Sequence, residues 1–208
     1  MVKKKKDLPA EERILDAAKK VFLEKGMAGA RMQDIANEAG INKALLHYYY
    51  RDKEKLFELV FLSESQKFFP KINRIFESDE TLEKKFHEFV EEYVNELRLN
   101  PYLPWFVLNE INRDPDGFLL KIMTGENRPR PMKFLQQIEK EIKLGNIRKV
   151  DPRHILLNLL SMTLFPFIAQ PMVSRILGMG NKEFEQLMEE RKKTVPAVMM
   201  DSIRKKVQ

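Results

Sequence analysis

Apolar side chains recur every three or four residues along most of this chain, and alternating strand-like runs are essentially absent. Such spacing puts side chains on one stripe of a helix. In RILDAAKKVFLEKG, residues 13–26, Ile14, Ala17, Ala18, Val21 and Phe22 share a face, and Gly26 is placed to end the helix. Two short segments follow, MQDIANEA over 32–39 and NKALLHYY over 42–49, joined by Gly40 and Ile41. A longer helix begins at Asp52 with Leu56, Phe57, Val60 and Phe61 on one stripe, and Pro70 is expected to kink or end it. Further helices are predicted over 81–97, through PWFVLNEINR after Pro101, over 129–145, from the Asp151 cap and Pro152 through 177, and over 181–206. The expected class is all-α: a three-helix unit over 1–55, then a second all-helical domain over 56–208.

Residues 155–174 carry no charged side chain, and about 20 apolar residues can span a bilayer. Asn158, Ser161, Thr163, Pro166, Gln170 and Pro171 interrupt that run. A helix buried on nearly all sides fits better, and no membrane contact is expected. The hydrophobic share, 43% of residues, is enough for a real core. The chain has no cysteine, which excludes disulfides, thiolate metal sites and cysteine nucleophiles, and a reducing compartment such as the cytoplasm fits. The start, MVKKKKDLPAEER, has no apolar run after its lysines and is not a secretory signal. Residues 1–8 read either as a flexible basic arm or as a solvated tail. His47, His87 and His154 sit in no Glu-x-x-His or His-Glu-x-x-His arrangement, and no phosphate-cradling glycine loop exists. No catalytic residue, metal or cofactor is expected.

Charge is uneven. Residues 1–55 hold 13 Lys and Arg against 9 Asp and Glu, while residues 56–208 hold 24 against 22. The first quarter therefore carries most of the positive excess, which points to a polyanion partner for that segment.

The two short segments have the spacing of a helix-turn-helix. Counting Met32 as the first position, Ile35 is fourth, Ala36 fifth, Gly40 ninth, Ile41 tenth and Leu46 fifteenth. Steeply crossed helices approach at the fifth residue, where a small side chain fits, and the ninth turns the chain and favours glycine. Asn42 is a candidate cap for the second helix. Lys43 and Ala44 then occupy its first turn, where base edges are read: lysine can donate to guanine, and alanine can approach a thymine methyl. Leu45 and Leu46 divide between groove and core. Tyr50 is expected under the helix, with His47, Tyr48 and Tyr49 turned outward towards the phosphates and sugars. Lys53, at the positive end of the next helix, is placed for a phosphate.

Residues 13 to about 60 resemble the DNA-binding domain of the tetracycline-repressor (TetR) family. The resemblance rests on Ile14–Leu15–Ala17–Ala18, Phe22, Gly26, Asp34–Ile35–Ala36, Ala39–Gly40, Lys43, Leu46, the aromatic cluster and Lys53. It implies a homodimeric transcription regulator, usually a repressor, released from its double-stranded DNA operator by a small molecule bound in the second domain. It further implies base contacts for Lys43 and Ala44 and backbone contacts for His47, Tyr48, Tyr49 and Lys53. The chain departs from the pattern where Ala30–Arg31 replaces a Thr or Ser cap, and Arg31 becomes the candidate phosphate contact there. Asn42 stands where Ser is frequent, and His47 where Tyr is frequent.

A small apolar or amphipathic effector needs an apolar cavity with a few convergent polar groups. The candidates are Phe86, Phe89, Tyr93, Tyr102, Trp105, Phe106, Asn109, Phe134, Met162, Phe165 and Met172, with Trp105 the first choice for a pocket wall, although aromatic and methionine stripes at helical spacing are usually plain core. Pairing with a second copy is expected through the last two helices, with Met162, Phe165, Phe167, Leu187, Val198 and Met199 as candidate contacts. The competing function is an all-helical ligand carrier or adaptor that binds no DNA.

Overall fold

The structure is a computed structural model and describes residues 9–101 and 103–205, without the side chains of Met27 and Phe106. The basic arm over 1–8, and the pocket candidates Tyr102 and the Phe106 side chain, therefore lie outside the described residues. Among the described residues every regular element is an α-helix: α1 (Ala10–Gly29), α2 (Met32–Ala39), α3 (Lys43–Tyr49), α4 (Lys53–Glu77), α5 (Leu82–Leu99), α6 (Leu103–Arg113), α7 (Pro115–Thr124), α8 (Met132–Leu144), α9 (Pro152–Ile168), α10 (Gln170–Leu177) and α11 (Asn181–Ile203). No single helix is long and apolar enough to cross a membrane. The chain divides into two compact units, residues 1–67 with 100–103, and residues 68–99 with 104–208. The division falls inside α4 rather than at residue 55.

Several boundaries differ from the pattern's expectation. Gly26 does break α1, with φ of 67°, but a last turn follows it to Gly29, closed by Ala30 N–H donating to the Gly26 carbonyl. Pro70 does not end α4, which continues to Glu77. The helix expected over 152–177 is two helices, α9 and α10, bent by 77° at Ala169. Pro171 has no N–H to donate, and its ring opposes the carbonyl one turn back, so the α9 ladder ends just before it. The periodicity missed α7, yet Asp114 caps it and Pro115 opens it, the same device that Asp151 and Pro152 use at α9.

The core of the second unit is built on α5, which packs against α9 and α11. Phe76 stacks on Phe134 at 4.6 Å and on Phe89 at 5.4 Å, and Phe86 meets Phe134 edge-on. Burying each such ring contributes about 1.5–3 kcal/mol. Phe86, Phe89 and Phe134 are fully buried in this stack. Tyr93 joins the same stack against Phe68 and Phe89 at 4.6 and 4.5 Å. Phe167 and Met199 are also buried in this core. They offer nothing to a second copy, because the face of α9 and α11 they occupy is already covered by the chain itself.

Two polar side chains inside this unit fasten chain ends. Asn73, 1% exposed, donates from Nδ2 to the Arg128 carbonyl and accepts at Oδ1 from Arg130 N–H, pinning the α7–α8 connection to α4. Lys85, also 1% exposed, donates Nζ to the carbonyls of Phe76 and Ser78 and to Gln137 Oε1. It thus supplies the carbonyls at the end of α4 with donors they would otherwise lack. Burial, and then the nearby Lys133, push the Lys85 ammonium below its ordinary pKa, while three acceptors favour the charged form.

Lys85→Met is expected to lower the unfolding free energy by about 2 kcal/mol, because it leaves buried carbonyls unmet, as read by urea denaturation. Arg153, donating to the Asp151 carboxylate, holds it down to a pKa of about 2. A carboxyl depressed on folding stabilises above its unfolded pKa and loses that contribution as pH falls through the folded one. Asp151→Ala should therefore be less stable than the parent near neutrality, with the gap closing as the pH approaches about 2 in thermal melts.

Candidate nucleic-acid interface

The first unit packs α1 against α2 through Ile14, Ala17, Ala18, Val21 and Phe22, all buried. Phe22 meets Phe57 of α4 edge-on at 4.5 Å. Two ion pairs join α1 to α2, Lys20–Glu38 and Lys25–Asp34, both at 3.0 Å. Lys19 of α1 pairs with Glu64 of α4, whose side chain is 8% exposed. Lys19 and Lys67, outweighing burial, hold the Glu64 carboxyl below the usual range.

The turn from α2 to α3 follows from two residues. Ala36 is fully buried, so its small side chain sets how closely the helices approach. Gly40 adopts φ 66° and ψ 38°, with Ile41 N–H donating to the Ala36 carbonyl and Gly40 N–H to the Asn37 carbonyl. This is a Schellman ending. A Cβ at Gly40 would meet nothing within 4 Å, so the left-handed backbone, not crowding, requires glycine there. Asn42 then caps α3, its Oδ1 accepting from Leu45 N–H at 2.7 Å.

Seven residues of helix leave one side for packing. Leu46 is fully buried and Tyr50, just past the helix, is 8% exposed. Lys43, Ala44, His47, Tyr48 and Tyr49 are exposed, and Leu45 is half-exposed at the margin. The four consecutive rings thus divide one inside and three outside. Tyr48 and Tyr49 meet edge-on at 5.5 Å, so each stiffens the other. Burial raises the Tyr50 hydroxyl above its ordinary pKa, with Glu11 adding to it.

His47 and Arg51 share a contact that the sequence pattern did not reveal. The His47 Nδ1 lies 3.2 Å from the Arg51 carbonyl, which can only accept. The Nδ1 therefore carries the proton in this contact. Arg51 is itself exposed beside α3 and joins the expected set as a basic neighbour; its signal was a cation directly after the aromatic run.

Arg31 is exposed, with its backbone N–H donating to Asp34 Oδ2 at 3.3 Å. A guanidinium has no acceptor, so the side-chain cap a Thr or Ser would supply is absent. Lys25 holds the Asp34 carboxyl below the usual range. Lys53 is the first residue of α4, which Asp52 caps through Lys55 N–H at 2.6 Å. Its Nζ donates to the Ala30 carbonyl at 3.2 Å, across the α1–α2 connection. Lys53 therefore ties the entry of α2 to the start of α4 as well as lying at a helix N-terminus.

In the second unit Trp105 is 50% exposed and Asn109 is exposed. An apolar groove of about 490 Å³ opens between α9, α10 and α11. Met162 and Phe165 line it, together with Val173, Leu177, Leu187 and Arg191, while Val198 stands exposed on α11.

Residues 14–60 match the family described as bacterial regulatory proteins, tetR family. The chain is 23% identical over 176 residues to the probable HTH-type transcriptional regulator YttP of Bacillus subtilis (strain 168), covering 83% of this chain and 84% of that protein. Its fold is similar to that of a TetR transcription regulator from Haloarcula marismortui, with a TM-score of 0.64, 20% identity and coverage of 94% and 98% of the two chains. It is similar also to the TetR family transcriptional regulator PfmR from Thermus thermophilus, with a TM-score of 0.62, 20% identity and coverage of 89% and 97%. The family match thus covers the N-terminal domain, while the likeness to a probable transcriptional regulator extends over most of the chain.

Gly40→Ala is expected to cost about 1–2 kcal/mol, the strain of a left-handed alanine. Ala36→Leu should cost about 1–3 kcal/mol through overpacking. Chemical denaturation of the full chain measures both.

Proposed function

We propose that this protein is a ligand-responsive repressor that binds double-stranded operator DNA as a homodimer in the cytoplasm. The observation that carries the reading is the exposed lysine-and-phenol face of α3, held out by the buried Leu46 and Tyr50. In this reading Lys43 and Ala44, in the first turn, meet base edges. Arg31, Asn42, His47, Tyr48, Tyr49 and Lys53 sit along the phosphates, and the DNA-reading domain is the first unit with the effector domain in the second. Two copies place two such helices in major grooves about one turn apart, roughly 34–36 Å. Of the expected interface contacts, Val198 stands exposed on α11 and is left for a second copy, while Met162, Phe165 and Leu187 line the groove between α9, α10 and α11. Effector binding in the second unit shifts the population away from the DNA-competent state.

A gel shift with the DNA upstream of the gene tests this against an all-helical carrier, which would retard no fragment. Retardation should weaken steeply with salt, since each phosphate contact releases condensed counterions. Lys53→Ala should weaken binding to every sequence alike. Lys43→Ala should change which sequence is preferred, by about 1–3 kcal/mol per lost base contact. If neither substitution moved operator binding, these residue roles would be wrong.

A further inference from the structure

Pro166 lies inside α9 and has no N–H, so the Met162 carbonyl one turn back loses its helical partner. Arg191 of α11 fills that place, its Nη2 donating to the Met162 oxygen at 2.5 Å. The contact fixes the guanidinium at the wall of the groove between α9, α10 and α11. One of its five N–H groups is then used. Among the described residues no carboxylate pairs with Arg191, and burial pushes its guanidinium below the ordinary arginine pKa. A partly desolvated cation without a counter-charge is a costly arrangement.

The rest of the groove is apolar. Met162, Phe165, Val173, Leu177 and Leu187 line it, with Ser161 adding a hydroxyl whose proton goes to the Leu157 carbonyl. Its volume of about 490 Å³ suits a small molecule rather than an ion.

We infer that this groove is a binding site for a small amphipathic carboxylate, with the alkyl or aryl body against Met162, Phe165 and Leu187 and the carboxylate on Arg191. The assignment rests on the repressor reading above and names the chemical class of its effector. The fork of the guanidinium matches a carboxylate, and the low-dielectric wall strengthens that pairing. The missing counter-charge selects the anion; the apolar lining selects the body.

Decanoate and the uncharged decanamide, titrated calorimetrically into the full-length protein at neutral pH, test it. The parent should prefer decanoate by roughly tenfold or more, the usual range for a charge-assisted hydrogen bond. Arg191→Gln keeps a donor for the Met162 carbonyl but removes the charge, and should bring the two ligands to equal affinity. Arg191→Lys keeps the charge and should retain part of the preference. Val173→Trp, which fills the groove, should weaken both ligands. Thermal melts confirm that each variant is folded. Absence of decanoate binding, a preference that survives Arg191→Gln, or binding indifferent to Val173→Trp would overturn the assignment. So would a groove that takes no ligand while Val173→Trp splits the dimer in sedimentation, for then a second copy is its occupant. The ligand-free gel shift keeps the two readings separate. Intact operator binding without a decanoate preference sinks the groove assignment alone. A decanoate preference without operator binding sinks the repressor reading and leaves the site standing.

Discussion

The left-handed turn at Gly40 is the constraint on which the exposed face of α3 depends. It ends α2 within one residue, hands its last carbonyls to Gly40 and Ile41, and releases the chain into the Asn42 cap. With Ala36 setting the approach, α3 has no freedom to roll: Leu46 and Tyr50 must go inside. The lysine and the outward rings are exposed as a consequence of those two anchors. Seven residues of helix have little stability alone, so the face is as rigid as the turn beneath it.

Around that turn, charge reinforces geometry. Lys20, Lys25 and Lys19 of α1 reach Glu38, Asp34 and Glu64. The exposed pairs each contribute little, but they occupy acids of this unit with its own lysines. The exposed Lys43, Arg31 and Arg51 are left to set the sign of the surface.

How much was legible in the sequence depended on how local the signal was. Ala36, Gly40, Asn42 and Leu46 act through neighbours a few residues away, and their spacing alone placed them. The Asp–Pro opening is plain at α9 and easily passed over at α7, where the apolar stripe is weaker. The apolar stripes of α5 and α8 told that Phe86, Phe89 and Phe134 are covered, not that they stack ring on ring with Phe76. Arg191 was invisible for a deeper reason. Its partner is a carbonyl orphaned by a proline 25 positions earlier in the chain, and nothing in the periodicity says that α9 and α11 lie side by side.

Met172 and Ile176 stand exposed on α10, which has no buried residue of its own. On the proposed assembly, a second copy covers surface of this kind, and subunit pairing precedes tight operator binding. Below the concentration at which the copies associate, promoter occupancy then rises as the square of the amount of protein made. Modest changes in synthesis or breakdown would switch transcription more sharply than a one-to-one binder allows, giving the cell a threshold without any further component.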